Sequence, residues 1–281
     1  MEEGKFSRTA RRVAIRRAAH QLLDQPRVLD DPLALRIIGC EAEEALRSNP
    51  KEDHKFSRAF RAFMAARSRY AEDELARSVG QGVKQYVVLG AGLDTFAYRN
   101  PHAGLRVFEL DHPDTQAWKR EQLQAAGIAI PAALTFVPID FERQTLAEGL
   151  GQSGFNLSAA AFFSWLGVTP YLTREACMIT LNFIAKMPAG SGVVFDFAVD
   201  PALLNAGQRQ ALDALSARVA RYGEPLQLFF DPAKLQVELM GLGFHRTEFL
   251  QGKELNARYF KDRKDGLLVR GGLGHLMGAW V

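Results

Sequence analysis

The spacing of apolar residues divides the chain near Gln85. Before it, apolar positions recur with helical period. Ser7 can cap a helix running to about Leu23 and ending near Pro26. Asp31-Pro32 sets a cap residue and an N1 proline ahead of Leu33, Leu35, Ile37 and Ile38. A third helical stretch, from His54 to Val79, places Phe56, Phe60, Phe63 and Met64 on one stripe.

From Gln85 the texture changes to short apolar runs separated by helical patterns. The runs are Tyr86 to Leu89, Leu105 to Leu110, Leu134 to Ile139, Ala159 to Phe163 and Val193 to Phe197. The helical patterns between them cover Pro113 to Ala126, Glu142 to Leu150 and Thr173 to Met187. Buried strands alternating with helices predict an α/β, doubly wound, mostly parallel sheet covered on both faces. Such a sheet binds ligands at the carboxyl ends of its strands. Beyond it, Pro201 to Tyr222 reads as a helix, Leu226 to Phe230 as a short apolar segment, and Asp231-Pro232 starts a helix to about Leu242. Phe244 to Leu250 and Leu273 to Val281 are expected as antiparallel edge strands, giving about seven in all. Residues 1–80 are expected to form a helical cap belonging to the same domain as an α/β core at 81–281.

Composition narrows the class. The 281 residues are 47% apolar and 24% charged, as in ordinary soluble domains. No stretch approaches the roughly 20 apolar residues of a membrane span. Met1 to Lys5 lead into polar sequence with no apolar signal core. Cys40 and Cys177 offer neither a C-x-x-C pair nor a disulfide framework, so a cytoplasmic protein with reduced thiols is expected. Arg8, Arg11, Arg12, Arg16 and Arg17 form the one basic cluster. With a net charge of only +3 and no interleaved aromatics, it reads as a solvated helix face rather than a nucleic-acid site. No metal site is expected.

The chemistry starts at Val87-Val88-Leu89-Gly90-Ala91-Gly92-Leu93-Asp94-Thr95. Gly90 and Gly92 suit a sharp turn where a ligand approaches the backbone closely. The next strand ends at Asp111, where nucleotide folds place a ribose-binding carboxylate. Asp111 could instead cap the helix that Pro113 opens. An NAD fingerprint carries a third Gly or Ala to bring a helix end to the pyrophosphate. Thr95 stands at that position, which favours S-adenosylmethionine (SAM), a cofactor without pyrophosphate. Asp140-Phe141 suits an adenine, Asp140 accepting from the amine and Phe141 packing on the ring. A helix cap at Asp140 is the equal alternative.

A set of segments, taken in order, resembles a known family. They are Ser7-Arg8-Thr9-Ala10, Asp31-Pro32-Leu33-Ala34, Ala66-Arg67-Ser68-Arg69-Tyr70, the glycine loop, Phe108-Glu109-Leu110-Asp111, Trp165 to Thr173, and Arg258-Tyr259-Phe260. The set is similar to the bacterial branch of the leucine carboxyl methyltransferase family, class I SAM-dependent methyltransferases. The resemblance implies that Arg67 grips the methionine carboxylate of SAM, with Arg69 a rival two residues away. It also implies that Gly90 and Gly92 form the cofactor loop, that Asp111 binds ribose, and that Asp140-Phe141 contacts adenine. Eukaryotic members carry a glutamate where this chain has Leu166, which removes a side-chain partner for the cofactor's amino group. A backbone carbonyl near Phe163 or Ser164 is the expected substitute.

These readings lead to O-methylation of a carboxylate or hydroxyl on a small molecule, without nucleic-acid or membrane partners. No histidine has the context of a base, which favours a carboxylate or an acidic hydroxyl. His112 reads as a helix-start residue, and His20, His245 and His275 as structural. Tyr171, just past the fourth strand, is expected near the transferred methyl, and Arg17 is expected to meet a substrate anion. Tyr222, Leu228, Phe229 and Phe230 suit a cavity lining or lid. Two other classes remain open: an NAD-linked oxidoreductase, for which no Tyr-x-x-x-Lys pair is found, and a SAM-binding module without catalysis.

Overall fold

The structure, a computed structural model, describes residues 6–48 and 54–281. The polar lead at Met1 to Lys5 lies outside the described residues.

Ser7 caps the first helix as expected, its side chain accepting from the Ala10 amide at 3.0 Å. That helix, α1, spans Arg8–Leu23. The second stretch breaks into two short helices, α2 (Ala34–Ile38) and α3 (Cys40–Arg47). Asp31 does not occupy the cap position, which falls at Leu33, because one of its oxygens is drawn inward to Arg17. α4 (Lys55–Gly80) follows the expected stripe. Phe63 and Met64 are buried on it, whereas Phe56 is exposed.

The sheet contains β1 (Gln85–Leu89), β2 (Arg106–Asp111), β3 (Leu134–Pro138), β4 (Phe162–Trp165), β5 (Gly192–Val199), β6 (Phe229–Phe230), β7 (Arg246–Leu250) and β8 (Gly274–Trp280). Their order is β3-β2-β1-β4-β5-β8-β7, with β6 beside the end of β5. β1 to β5 pair in parallel, and β8 runs antiparallel to both β5 and β7. Side chains alternate across β1, and both faces are apolar. Val87 and Leu89 enter one core, Tyr86 and Val88 the other.

The first core is closed by α6 (Leu146–Gly151), α7 (Arg174–Ala185) and α9 (Pro232–Leu242), through Leu146, Leu181, Ile184, Leu235 and Leu239. The second is closed by α4 and α10 (Gly252–Tyr259), through Met64, Leu75 and Leu255. A smaller cluster joins α1, α2 and α5 (Pro113–Ala125) through Ala14, Ile37 and Leu123.

Three boundaries differ from the pattern. No helix begins at Glu142: residues 141–143 turn, and α6 starts after Thr145, whose capping box with Glu148 fixes the first turn. The expected helix from Pro201 splits into a short 3-10 turn and α8 (Ala206–Ala220), restarted by the Asn205–Gln208 capping box. β4 lies later than its apolar run, because pairing with β1 and β5 extends through Ser164. α10, which the apolar pattern does not predict, is tied to α4 and β7 by the motif at its end. Tyr259 donates to Asp73 at 2.9 Å, Arg258 pairs with Glu248 at 2.7 Å, and Phe260 is buried.

Candidate active site

β1 sits where the sheet order reverses, with β2 on one side and β4 on the other. The crevice at the carboxyl ends of strands so arranged is the expected ligand position. A cavity of about 920 Å³ opens there, and every sequence-predicted site residue lines it: Arg17, Arg67, Gly90, Gly92, Asp111, Asp140, Phe141 and Tyr171.

The glycine loop is held to β2 by the amides of Gly90 and Ala91, which both donate to the Leu110 carbonyl at 2.8 and 3.0 Å. Gly90 has φ +66° and Gly92 φ +47°, the left-handed region that glycine tolerates. The close approach at each is made by protein as well as by the cavity. A Cβ on Gly90 would lie 2.2 Å from Val168 Cγ2, and one on Gly92 3.0 Å from Ala10 Cβ.

The loop leads into a 3-10 turn, Phe96–Tyr98, and not into an α-helix. Thr95 is buried, accepting from Arg17 and donating to Asp31, each at 2.7 Å. The helix end that would meet a pyrophosphate is therefore missing from this loop.

Asp111 ends β2 with its carboxylate at the cavity wall. It accepts from the amides of Gly92 at 2.5 Å and His112 at 2.7 Å. It is not the helix cap: His112 holds that position, its Nδ1 accepting from Asp114 N at 3.3 Å. Burial pushes the Asp111 carboxyl above its ordinary range, against the opposing pull of the two amides. Asp140 is not a helix cap either. Its Oδ1 accepts from Glu142 N at 3.0 Å within the turn, beside Phe141, which packs 6.2 Å from the Trp165 ring.

Arg67 and Arg69 part company on α4. Arg69 is exposed and pairs with Asp73 at 2.7 Å. Arg67 is buried and pairs through Nη1 with Asp196 Oδ2 at 2.5 Å. The other Asp196 oxygen accepts from Gly167 N at 2.5 Å. Arg67 Nε is buried without a hydrogen-bond partner, the kind of group a bound carboxylate would satisfy. Asp196 escaped the sequence reading, although an acid between Phe195 and Phe197 in a fully buried strand was a signal. It lies one step beyond the Trp165–Phe195 pair of the β4–β5 register, beside Leu166. A carboxylate is thus present at the level of the missing glutamate, but it is engaged by Arg67.

Arg17 lines the cavity without a free charge. It contacts Asp31 at 2.5 Å and Asp94 at 3.1 Å. Burial pushes the Asp94 carboxyl up, but Arg17, Lys119 and Arg99 together with the Phe96 amide outweigh it and hold the carboxyl below the usual range. Two carboxylates balancing one guanidinium make Arg17 a tie between α1 and the glycine loop, in place of the expected counter-charge for a substrate anion. Arg8 and Arg12 stack on the Tyr222 ring at 5.6 and 5.5 Å, so part of the basic cluster fastens α1.

His20 is structural, its Nδ1 at 2.8 Å from Asp24 and its Nε2 accepting from Val28 N at 2.9 Å. Burial lowers the pKa of His275, which stacks against both Phe197 and Phe249. Tyr171 closes the turn after β4. Burial pushes its phenol up to about 12, with a Thr9 hydrogen bond acting against that rise.

The sequence profile of leucine carboxyl methyltransferases matches residues 10–185. The chain belongs to the leucine carboxyl methyltransferase family. It is 33% identical to "Putative S-adenosyl-L-methionine-dependent methyltransferase YktD" of Bacillus subtilis (strain 168), over 95% of each chain. A "Putative S-adenosyl-L-methionine-dependent methyltransferase" of Mycobacteroides abscessus is 32% identical over 69% of this chain and 65% of its own. Among solved structures, a putative methyltransferase from Thermobifida fusca YX superposes with a TM-score of 0.58 at 17% identity, covering 95% of this chain and 94% of that one. A DUF574 family protein from Streptomyces avermitilis gives 0.54 at 15% identity, over 94% and 96%. At those identities the two structures speak for the fold alone. Membership in the leucine carboxyl methyltransferase family makes the chain a SAM-dependent methyltransferase. Among the described residues no helix is long and apolar enough to cross a membrane.

Proposed function

We propose that this leucine carboxyl methyltransferase family member is an O-methyltransferase acting on a small molecule, a carboxylate or a hydroxyl. The observation that carries the reading is the meeting of Arg67 and Asp111 in one cavity above the glycine loop. In this reading Arg67 holds the methionine carboxylate of SAM and Asp111 accepts from the ribose hydroxyls. Asp140 and Phe141 flank the adenine, and Gly90 and Gly92 let the loop pass close beneath. When bound, SAM supplies an electrophilic methyl group whose leaving thioether needs no acid. The enzyme's part is to align the acceptor and shield it from water. A cavity of about 920 Å³, at the upper end of small-molecule sites, supports a cofactor and acceptor held together.

The 3-10 turn after the glycine loop counts against an NAD-linked oxidoreductase. Calorimetric titration with SAM, S-adenosylhomocysteine and NAD tests the reading: both adenosyl compounds bind and NAD does not. Binding of NAD alone would overturn it. SAM binding without transfer to any acceptor would favour a non-catalytic module.

A further inference from the structure

A lobe of the cavity lies between α4 and the strands it covers. Tyr86, Val88, Phe162 and Leu166 turn to the α4 side of the sheet, and alternation along β4 puts Ser164 there too. Ser68, Ala71 and Glu72 from α4 line the cavity with Tyr86, Val88 and Ser164 from the strands. The Tyr86 and Ser164 hydroxyls are 2.7 Å apart. Whichever of them donates, Ser164 Oγ keeps a lone pair. Glu72 accepts from both Nη atoms of Arg99, which follows the 3-10 turn, through Oε2 at 2.9 Å and through Oε1. Each Glu72 oxygen keeps a further acceptor site.

Glu72 belongs to a buried network in which the carboxylates are paired but the charges do not balance. Arg17 holds Asp31 at 2.5 Å and Asp94 at 3.1 Å, while Arg99 holds Glu72 and reaches Asp31 at 3.4 Å. Among the described residues, three carboxylates there share two guanidiniums. Lys119, the other cation acting on Asp94, is matched by Glu109 at 2.6 Å and brings no surplus. Burial pushes the Glu72 carboxyl above its ordinary range against the pull of Arg99, and Asp94 adds to the rise. A cation beside Glu72 would offset both.

We propose that Glu72 and Ser164 seat the α-ammonium at the methionine end of the cofactor. This rests on the methyltransferase reading above, in which Arg67 holds the carboxylate of that end. The ammonium is carried on the carbon next to that carboxylate, and Arg67 and Glu72 project into the cavity from one helix. Leu166 offers the ammonium no acceptor. Asp196, held by Arg67 and Gly167, does not line the cavity. Asp94 does line it, but past the glycine loop, where Arg17 of α1 holds it. Arg67 and Glu72 then read the two charges of one amino-acid group, and the odd carboxylate of the network gains its cation.

The test is calorimetry on the full chain with S-adenosylhomocysteine and with its analogue lacking the α-amino group. The two ligands differ only in the ammonium, so damage to the fold or to the shape of the cavity moves both. The wild type is expected to bind S-adenosylhomocysteine about 10–100-fold more tightly than the analogue, the weight of a charged hydrogen bond. Glu72→Gln removes that advantage and leaves affinity for the analogue unchanged. Ser164→Ala weakens S-adenosylhomocysteine alone, by about 2–10-fold, and carries the test if Glu72→Gln does not fold. The proposal is overturned if the wild type binds both ligands equally, or if either variant weakens both ligands alike or neither. In those cases wild-type binding of S-adenosylhomocysteine keeps the cofactor reading standing. If the wild type binds neither ligand, the cofactor reading falls and the ammonium seat with it.

Discussion

Replacing Gly90 by alanine places two separable costs on one added atom. The first is conformational: at φ +66° a Cβ meets the following carbonyl, a strain of about 1–2 kcal/mol. The second is steric. The new atom would lie 2.2 Å from Val168 Cγ2, far inside van der Waals contact, and Val168 must move. Overpacking of that kind costs about 1–3 kcal/mol. Gly90→Ala should therefore lose about 2–5 kcal/mol of stability without any cofactor present. Urea unfolding of the wild type, Gly90→Ala, Val168→Ala and the double variant measures both parts. Val168→Ala removes the clashing methyl, so the double variant should recover the steric share through a coupling of about 1–3 kcal/mol. The backbone share should remain. If Gly90→Ala unfolds like the wild type, or the two substitutions simply add, the glycine serves only ligand clearance and the reasoning fails.

Other outcomes follow from the site. Asp111→Asn should weaken SAM binding by about 1.5–3 kcal/mol, measured by calorimetry, through loss of a charged acceptor. Because burial raises the Asp111 pKa and only the ionised carboxylate accepts from two hydroxyls, SAM affinity should fall as the pH drops through that raised value. A flat profile counts against the assignment. Asp196→Ala leaves Arg67 buried without its counter-charge and should cost about 3–5 kcal/mol in denaturant unfolding; a loss near zero contradicts the pairing. Cys40 is exposed, whereas burial pushes the Cys177 thiol up to about 12. A maleimide should label Cys40 alone in the native protein and both thiols after unfolding, and labelling of native Cys177 would refute the packing of α7.

The parts of this site legible in the sequence are those fixed by local geometry. A strand ending in Gly90-Ala91-Gly92 and another ending in Asp111 are short-range patterns, and parallel pairing brings them together at Gly92 N and Asp111 Oδ2. The ordered family segments added Arg67, which spacing alone could not separate from Arg69. Partners chosen across the fold were not legible. Thr9 and Glu224 are 215 positions apart, and Arg67 and Asp196 are 129 apart. Neither pairing leaves a local trace beyond an acid in an apolar strand. Arg17 shows the same limit from the other side: a cation near the site reads as available until Asp31 and Asp94 are seen to occupy it. The helix from Pro201 is interrupted at Asn205, whose side chain restarts it through a polar cap that apolar spacing does not encode.

The first turn of α1 is roofing fastened at both eaves. On one side Phe6 stacks on Trp118 at 4.2 Å and Ser7 N meets Thr115 at 3.3 Å. On the other, Arg8 and Arg12 rest on Tyr222 and Thr9 holds Glu224. None of these fastenings involves a strand. A protease cutting just before Val13 would leave the sheet and the Asp111 wall intact. It would also strip away the cover and the Thr9 contact to Glu224, leaving an open trough. The cavity at the strand ends is thus walled on one side by α1, a helix fastened through side chains and not through the sheet.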